Sequence, residues 1–286
     1  MAKFTRGVDL TLINSLKTKP LFQKRLRPDI DSGDVFPAIR NNRIDFYCGG
    51  GKLFSYSNDG FKTHQKYASI IDQPVNDYIS ATDLSNACLI KSFDSGYGRI
   101  KELCQRYSGI EATGVSYLLK RFSIVKFGMN ENIVAIDIEA AMLNVDDEAA
   151  QTTDRIDLVL YNQKARKIHF VEVKDYSNKE LWSKGTPKVV VQIERYEKQI
   201  IKRKAEILTA YQTHVNSLNK LFDLNINFPQ YVSDRVCLYI FGFDDDQKKG
   251  RLQTGFMQNP AVQNSKIHTY AKGDPKTIAH LKSLIK

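Results

Sequence analysis

The sequence predicts an α/β fold: a mixed central sheet flanked by helices, preceded by a small and mostly β module. Three observations carry this expectation. Arg155–Tyr161 and Lys167–Lys174 read as two apolar strands joined by a polar turn. Helical spacing stands on both sides of that pair. Before it come Ile100, Leu103, Cys104 and Tyr107, then Val115, Leu118, Leu119 and Phe122; after it comes a long amphipathic run opened by Thr186-Pro187. The order helix, strands, helix, strand, helix implies a mixed sheet with helical cover. The first ninety or so residues have a different texture, short alternating runs split by glycine turns.

Taken in order, Val8 to Leu16 reads as a short helix, and Pro20, Pro28 and Pro37 punctuate an irregular basic stretch. From Arg43 the segments IDFYC, GGG, KLFSYS, NDG and FKTHQKYA form a meander of short strands with tight turns. Gly49–Lys52 superficially suggests a phosphate loop, but such a loop needs an earlier Gly and a Ser or Thr after the Lys, where Leu53 stands. Residues 1–94 are therefore expected to form the N-terminal module and residues 95–286 the core, with SFDSGYG between them. Phe46, Tyr47, Phe54, Tyr56, Phe61 and Tyr67 either fill the module's core or stack on bases.

In the core, a helix ending at Ser108-Gly109 leads into a second one over Gly109–Arg121. Strands are expected at Ser123–Phe127 and Ile133–Ala140, joined by the turn GMNEN, and the acidic loop NVDDEAAQTTD leads into the central pair. After Lys174 comes the loop DYSNKELWSKG. Thr186 is the expected N-cap and Pro187 the first helical residue of a helix running to Phe222, roughly 50 Å if unbroken, the alternative being a break near Thr213. Val236–Phe243 reads as a buried strand, Lys266–Tyr270 as the last strand and Lys276–Lys286 as a closing helix.

Composition narrows the function classes. The chain has 286 residues and 42% hydrophobic residues, enough for a sizeable core. No apolar run approaches the ~18 residues of a membrane span, and MAKFTRGVDL holds no apolar signal segment, so no membrane association and a cytoplasmic location are expected. The net charge of +10 favours a polyanionic partner, nucleic acid first. Cys48, Cys88, Cys104 and Cys237 are too scattered for a zinc or iron–sulfur site and read as reduced packing residues.

The central strands carry unusual chemistry. Side chains alternate along a strand, so Glu172 and Lys174 share one face and Val171 and Val173 the other; Asp157 stands opposite Ile156 and Leu158 in the same way. Two carboxylates brought together repel unless a cation lies between them.

Asp157 followed by Glu172-Val173-Lys174 on the next strand resembles the PD-(D/E)XK nuclease superfamily, with its restriction-endonuclease-like core. Ile156 stands where the motif name places proline. Gln192-x-x-x-Tyr196 on the following helix resembles the RecB-like branch, and residues four apart share a helix face. The likeness covers residue 96 to the end. It implies a metal-dependent nuclease acting on DNA. Asp157 and Glu172 would be hard-oxygen ligands of Mg²⁺ or Mn²⁺, and Lys174 would orient or deprotonate the attacking water. The alternatives are a nuclease-like fold that binds nucleic acid without cutting it, and an RNA nuclease; a homodimer is compatible with cutting two strands.

Further residues join this expectation. Gln192 faces the site, and Tyr196 either joins it or belongs to the stripe Val189, Ile193, Ile200. Glu111 either lies near the metal or closes a capping box over Ser108-Gly-Ile-Glu111. Arg195, Lys198 and Lys202 recur along one helix side that can track a phosphate backbone. Asp137 and Glu139 share a strand face and are expected at the surface, the alternative for Glu139 being a peripheral ligand. His169 is expected in the core.

Overall fold

The computed structural model describes residues 4–68, 78–84, 90–127, 131–142 and 154–285. These form a mixed α/β structure with two five-stranded sheets. The chain divides into two units. One is Thr5–Asn130 with Ala210–Ile226; the other is Met1–Phe4, Glu131–Thr209 and Asn227–Lys286. The division therefore does not fall at residue 94.

In the N-terminal unit, α1 (Leu10–Lys17) starts where the Asp9 carboxylate accepts the Leu12 N–H at 2.7 Å, and it buries Leu12, Ile13 and Leu16. A π-helical turn (Phe22–Leu26) and α2 (Arg27–Ser32) follow, closed by Gly33 at φ 85°. The strands β1 (Phe36–Ile39), β2 (Ile44–Cys48), β3 (Gly51–Ser57), β4 (Gly60–His64) and β5 (Tyr78–Ser80) form an antiparallel meander in chain order. Gly49 and Gly50, at φ 58° and 95°, make the β2–β3 hairpin turn expected there. The helical part comprises α3 (Gln65–Ala68), α4 (Tyr97–Arg106), α5 (Ile110–Phe122) and α6 (Ile124–Phe127).

The glycine turn explains why α4 and α5 join this sheet. A Cβ on Gly50 would lie 2.5 Å from the Ala112 backbone of α5, and one on Gly51 2.6 Å from Cys104 Sγ of α4. Both helices seat on the turn, where only glycine leaves room. The Ser123–Phe127 strand is corrected to a helical turn: the β-branched pair Ile124-Val125 suggested extended backbone, but packing against α2 overrides that preference. Phe46, Tyr47, Phe54, Tyr56 and Tyr67 are buried, and Phe61 packs on Phe46, Phe54 and Tyr56 at 6.3, 6.0 and 4.6 Å between ring centres. These rings are the core of the sheet.

In the C-terminal unit the sheet order is β10-β9-β8-β7-β6. Its strands are β6 (Ile133–Met142), β7 (Asp154–Asn162), β8 (Lys167–Asp175), β9 (Tyr231–Phe241) and β10 (Thr269–Ala271). β6, β7 and β8 pair antiparallel, whereas β8, β9 and β10 pair parallel. The connections dictate this. A short turn joins β7 to β8, with Asn162 Oδ1 accepting the Ala165 N–H at 3.0 Å and Arg166 at φ 50°. Two helices, α7 (Lys188–Lys202) and α8 (Lys204–Phe222), supply the long crossover that a parallel β8–β9 pair needs.

Several boundaries differ from the expectation. Pro187 is the N-cap of α7 and not its first residue. The long helix breaks at Arg203, not near Thr213; Arg203 sits at φ −115° and its guanidinium grips Glu206 at 2.8 and 2.9 Å, while Glu206 also accepts the Phe4 N–H. β9 starts five residues earlier than the apolar run because Tyr231 and Val232 pair with Lys167 and Ile168. Beyond β9 lie α9 (Asp245–Gln247), a π-helical segment (Lys248–Met257) and α10 (Pro260–Ser265). The closing helix is corrected to two 3₁₀ turns, Pro275–Thr277 and Leu281–Leu284. The second buries Leu281 and Leu284 against β6, β9 and β10, so packing on a sheet replaces a continuous helix.

Cys48, Cys104 and Cys237 are buried thiols outside any disulfide among the described residues, and burial pushes the Cys104 thiol up to about 12. Cys88 lies outside the described residues, as do 128–130 of the expected turn and 144–153 of the acidic loop. Among the described residues no helix is long and apolar enough to cross a membrane.

Candidate active site

β8 is the middle strand of its sheet, and from Ile168 to Asp175 every residue is buried. Val171 and Val173 fill one face, as their alternation requires. The other face carries Glu172, 1% exposed, and Lys174, 5% exposed. A charged pair at that depth costs several kcal/mol per ion in desolvation and persists only with close partners. Lys174 Nζ lies 2.9 Å from Glu172 Oε1 and 2.7 Å from Glu180 Oε2. Glu180 comes from the 3₁₀ turn Lys179–Leu181, where Asn178 Oδ1 accepts the Glu180 N–H at 2.9 Å.

Asp157 is half-buried on β7. The register that pairs Leu158 with Val171 sets Asp157 opposite Glu172. The regular ladder ends there, and Asp157 Oδ2 accepts the Val173 N–H at 2.8 Å. The carboxylate thus replaces a strand hydrogen bond where β7 and β8 separate.

α7 covers this region. Its apolar stripe, Val189, Val190, Ile193, Tyr196 and Ile200, is buried, each full burial contributing about 1.5–3 kcal/mol. Gln192 Nε2 donates to Tyr196 Oη at 2.8 Å, and Tyr196 Oη donates to the Arg155 carbonyl at 2.9 Å, two residues before Asp157. That leaves Gln192 Oε1 buried with no hydrogen-bond donor among the described residues. The Tyr196 ring is 1% exposed, so it is a packing residue whose hydroxyl orients Gln192, not a surface for nucleic acid. Arg195, Lys198 and Lys202 lie exposed along α7.

Glu111 belongs to the N-terminal unit, whereas Asp157, Glu172, Lys174 and Gln192 belong to the C-terminal one. The capping box does not form: Gly109 is the N-cap of α5, and the Ser108 hydroxyl donates to the Cys104 carbonyl at 2.8 Å. Glu111 instead sits in the first turn, where a carboxylate complements the helix dipole. Asp137 is fully buried and not at the surface, because a bulge between Ala135 and Asp137 alters the strand's facing. Glu139, at φ 49°, pairs with Arg155 at 3.0 Å.

Glu180 was missed by the sequence reading. It lies in an irregular loop, and nothing in its spacing marks it as a partner of Lys174.

The donor set fits a hard divalent cation. It offers two carboxylates on neighbouring strands, and the buried Gln192 amide oxygen sits on the helix that bonds β7 through Tyr196. Among the described residues no group of three or more His, Cys, Asp and Glu side chains is placed to enclose a metal, so water would complete the coordination.

His169 is 4% exposed, and burial, with Lys167 adding to it, pushes its imidazole down to about 4. Above the unfolded value of about 6.5 the ring is neutral in both states; on acidification the unfolded chain takes the proton first, so stability falls from about pH 6.5 towards pH 4. His169 should thus cost about 2 kcal/mol at pH 5 relative to pH 7. Urea unfolding at the two pH values checks this, and an unchanged difference in His169→Phe would refute it.

No protein-family model, curated protein or solved structure matches this chain. The fold and site define a mixed α/β protein with a buried carboxylate–ammonium cluster at its central strand.

Proposed function

We propose that this chain is a metal-dependent nuclease hydrolysing phosphodiester bonds in DNA, of the PD-(D/E)XK kind and built on a restriction-endonuclease-like core. The observation that carries the reading is the buried Glu172–Lys174 pair beside Asp157. A protein that needed only a stable sheet would place apolar residues there at lower cost. Retention of charge at a central strand points to chemistry.

Asp157 and Glu172 would hold Mg²⁺ or Mn²⁺. When bound, the cation neutralises the attacked phosphate and acidifies a water. Lys174 sits on the same strand face as Glu172, where its ammonium orients the attacking water and offsets charge developing on the phosphate. Gln192 Oε1 would accept a hydrogen bond from a water in the site, its amide fixed by the bond to Tyr196. The net charge of +10 and the exposed stripe Arg195, Lys198 and Lys202 support a polyanionic substrate.

A second reading, a nuclease-like fold that binds nucleic acid without cutting, is favoured by one observation. Lys174 is held by two carboxylates at once.

The test is incubation of linear and plasmid DNA, and of RNA, with Mg²⁺ or Mn²⁺ against EDTA. Wild type should cut DNA only with the cation, and Glu172→Ala should not cut. DNA binding without cutting in any cation would establish the second reading; RNA cutting alone would change the substrate.

A further inference from the structure

A second polar feature lies beside this cluster in the same unit. It is a cleft of about 480 Å³ whose lining includes Trp182, Ser183, Lys184, Arg251, Thr254 and Gln258. No carboxylate lines it; the acidic run Asp244, Asp245 and Asp246 just upstream of Arg251 stays out of its walls. Neither Lys184 nor Arg251 is in an ion pair among the described residues, and both are exposed. The cleft thus gathers two uncompensated cations with hydroxyl and amide groups around one aromatic ring.

Its walls are held in place. Trp182 Nε1 donates to the Tyr176 carbonyl at 2.9 Å, and the ring meets Tyr176 and Phe256 edge-on, with centres 4.9 and 6.4 Å apart. The Arg251 guanidinium lies 4.0 Å over the Trp182 ring. Stacking of this kind fixes the guanidinium plane and leaves its N–H edge for a phosphate. On the other side, Asn259 Nδ2 donates to the carbonyls of Ser183 and Gly185 at 3.3 and 2.9 Å, so the loop carrying Lys184 is tied down.

The chain also links the cleft to the site. Glu180 touches Lys174, and Trp182 follows two residues later, at most about 7 Å on between Cα atoms. We propose that this cleft binds the phosphodiester backbone of the nucleic-acid strand next to the bond being cut, with Arg251 and Lys184 each taking a phosphate. This rests on the nuclease reading.

Trp182 is the chain's single tryptophan, so its emission reports the cleft directly. The full chain, kept in EDTA to prevent cutting, is titrated with a single-stranded oligodeoxynucleotide. A saturable change in emission is expected, weakening as salt rises. Lys184→Ala and Arg251→Gln should each weaken binding about tenfold, the loss of one phosphate contact. Lys184 is exposed and has no side-chain bond among the described residues, so its variant separates binding from folding. Excess deoxymononucleotide should fail to compete.

Unchanged affinity in both variants, or oligonucleotide binding by anisotropy with silent Trp182 emission, would overturn the proposal. So would a mononucleotide binding as tightly as the strand. The two readings fail separately. If wild type never cuts yet the emission titrates, the nuclease assignment falls and the strand site stands; if cutting is metal-dependent and Lys184→Ala and Arg251→Gln bind normally, the reverse holds.

Discussion

Asp157→Asn should fold as the wild type does and lose cleavage by about 10³-fold or more, equivalent to roughly 4 kcal/mol of transition-state stabilisation. One structural task of Asp157 is to accept the Val173 N–H where β7 and β8 part. An asparagine oxygen performs that task equally, so the strand separation and the unfolding midpoint should stay within about 0.5 kcal/mol of wild type. The catalytic task is different. It needs the second oxygen as an anionic ligand, and asparagine places an N–H₂ donor there instead. The variant therefore separates the two roles of one side chain. It is read by initial rates on linear DNA with Mn²⁺ and by urea unfolding on the same preparation. Cleavage within tenfold of wild type would remove Asp157 from the site.

Lys174→Met should destabilise the protein by about 3–5 kcal/mol, the usual cost of removing one partner from a buried ion pair. Methionine matches the lysine stem in length and fills its space, so cavity formation contributes little. What remains is Glu172, 1% exposed, without the ammonium that lies 2.9 Å away in the wild type. Glu180 is 42% exposed at its side chain and can turn to solvent, so most of the cost should come from Glu172. The double variant Glu172→Gln/Lys174→Met should recover most of the loss, because the charge is then gone from both sides. Equal stabilities of single and double variants by urea unfolding would show that the pair is not coupled. Neither variant should cut DNA.

These two expectations rest on residues of different legibility. The pairing of Arg155–Tyr161 with Lys167–Lys174, the shared face of Glu172 and Lys174, and the hairpin glycines at 49 and 50 were all readable, because strand alternation and turn chemistry are local rules. The stripe on α7 was readable for the same reason. The breaks and ends were less so. The break at Arg203 lies beside Glu206, which holds Arg203 and accepts the Phe4 N–H from the far end of the chain, and the closing 3₁₀ turns pack on the sheet that receives Leu281 and Leu284.

By itself, the sequence determined the mixed α/β class and the neighbourhood of Asp157, Glu172 and Lys174. It did so because periodicity and spacing follow from backbone geometry within a few residues. Only the tertiary structure decided that both faces of β8 are buried, that Glu180 grips Lys174, that Tyr196 is a packing residue orienting Gln192, and that Glu111 belongs to the N-terminal unit. Each of these depends on which distant segment covers a given face. An alternating pattern marks two faces of a strand but carries no signal for what packs on the second one.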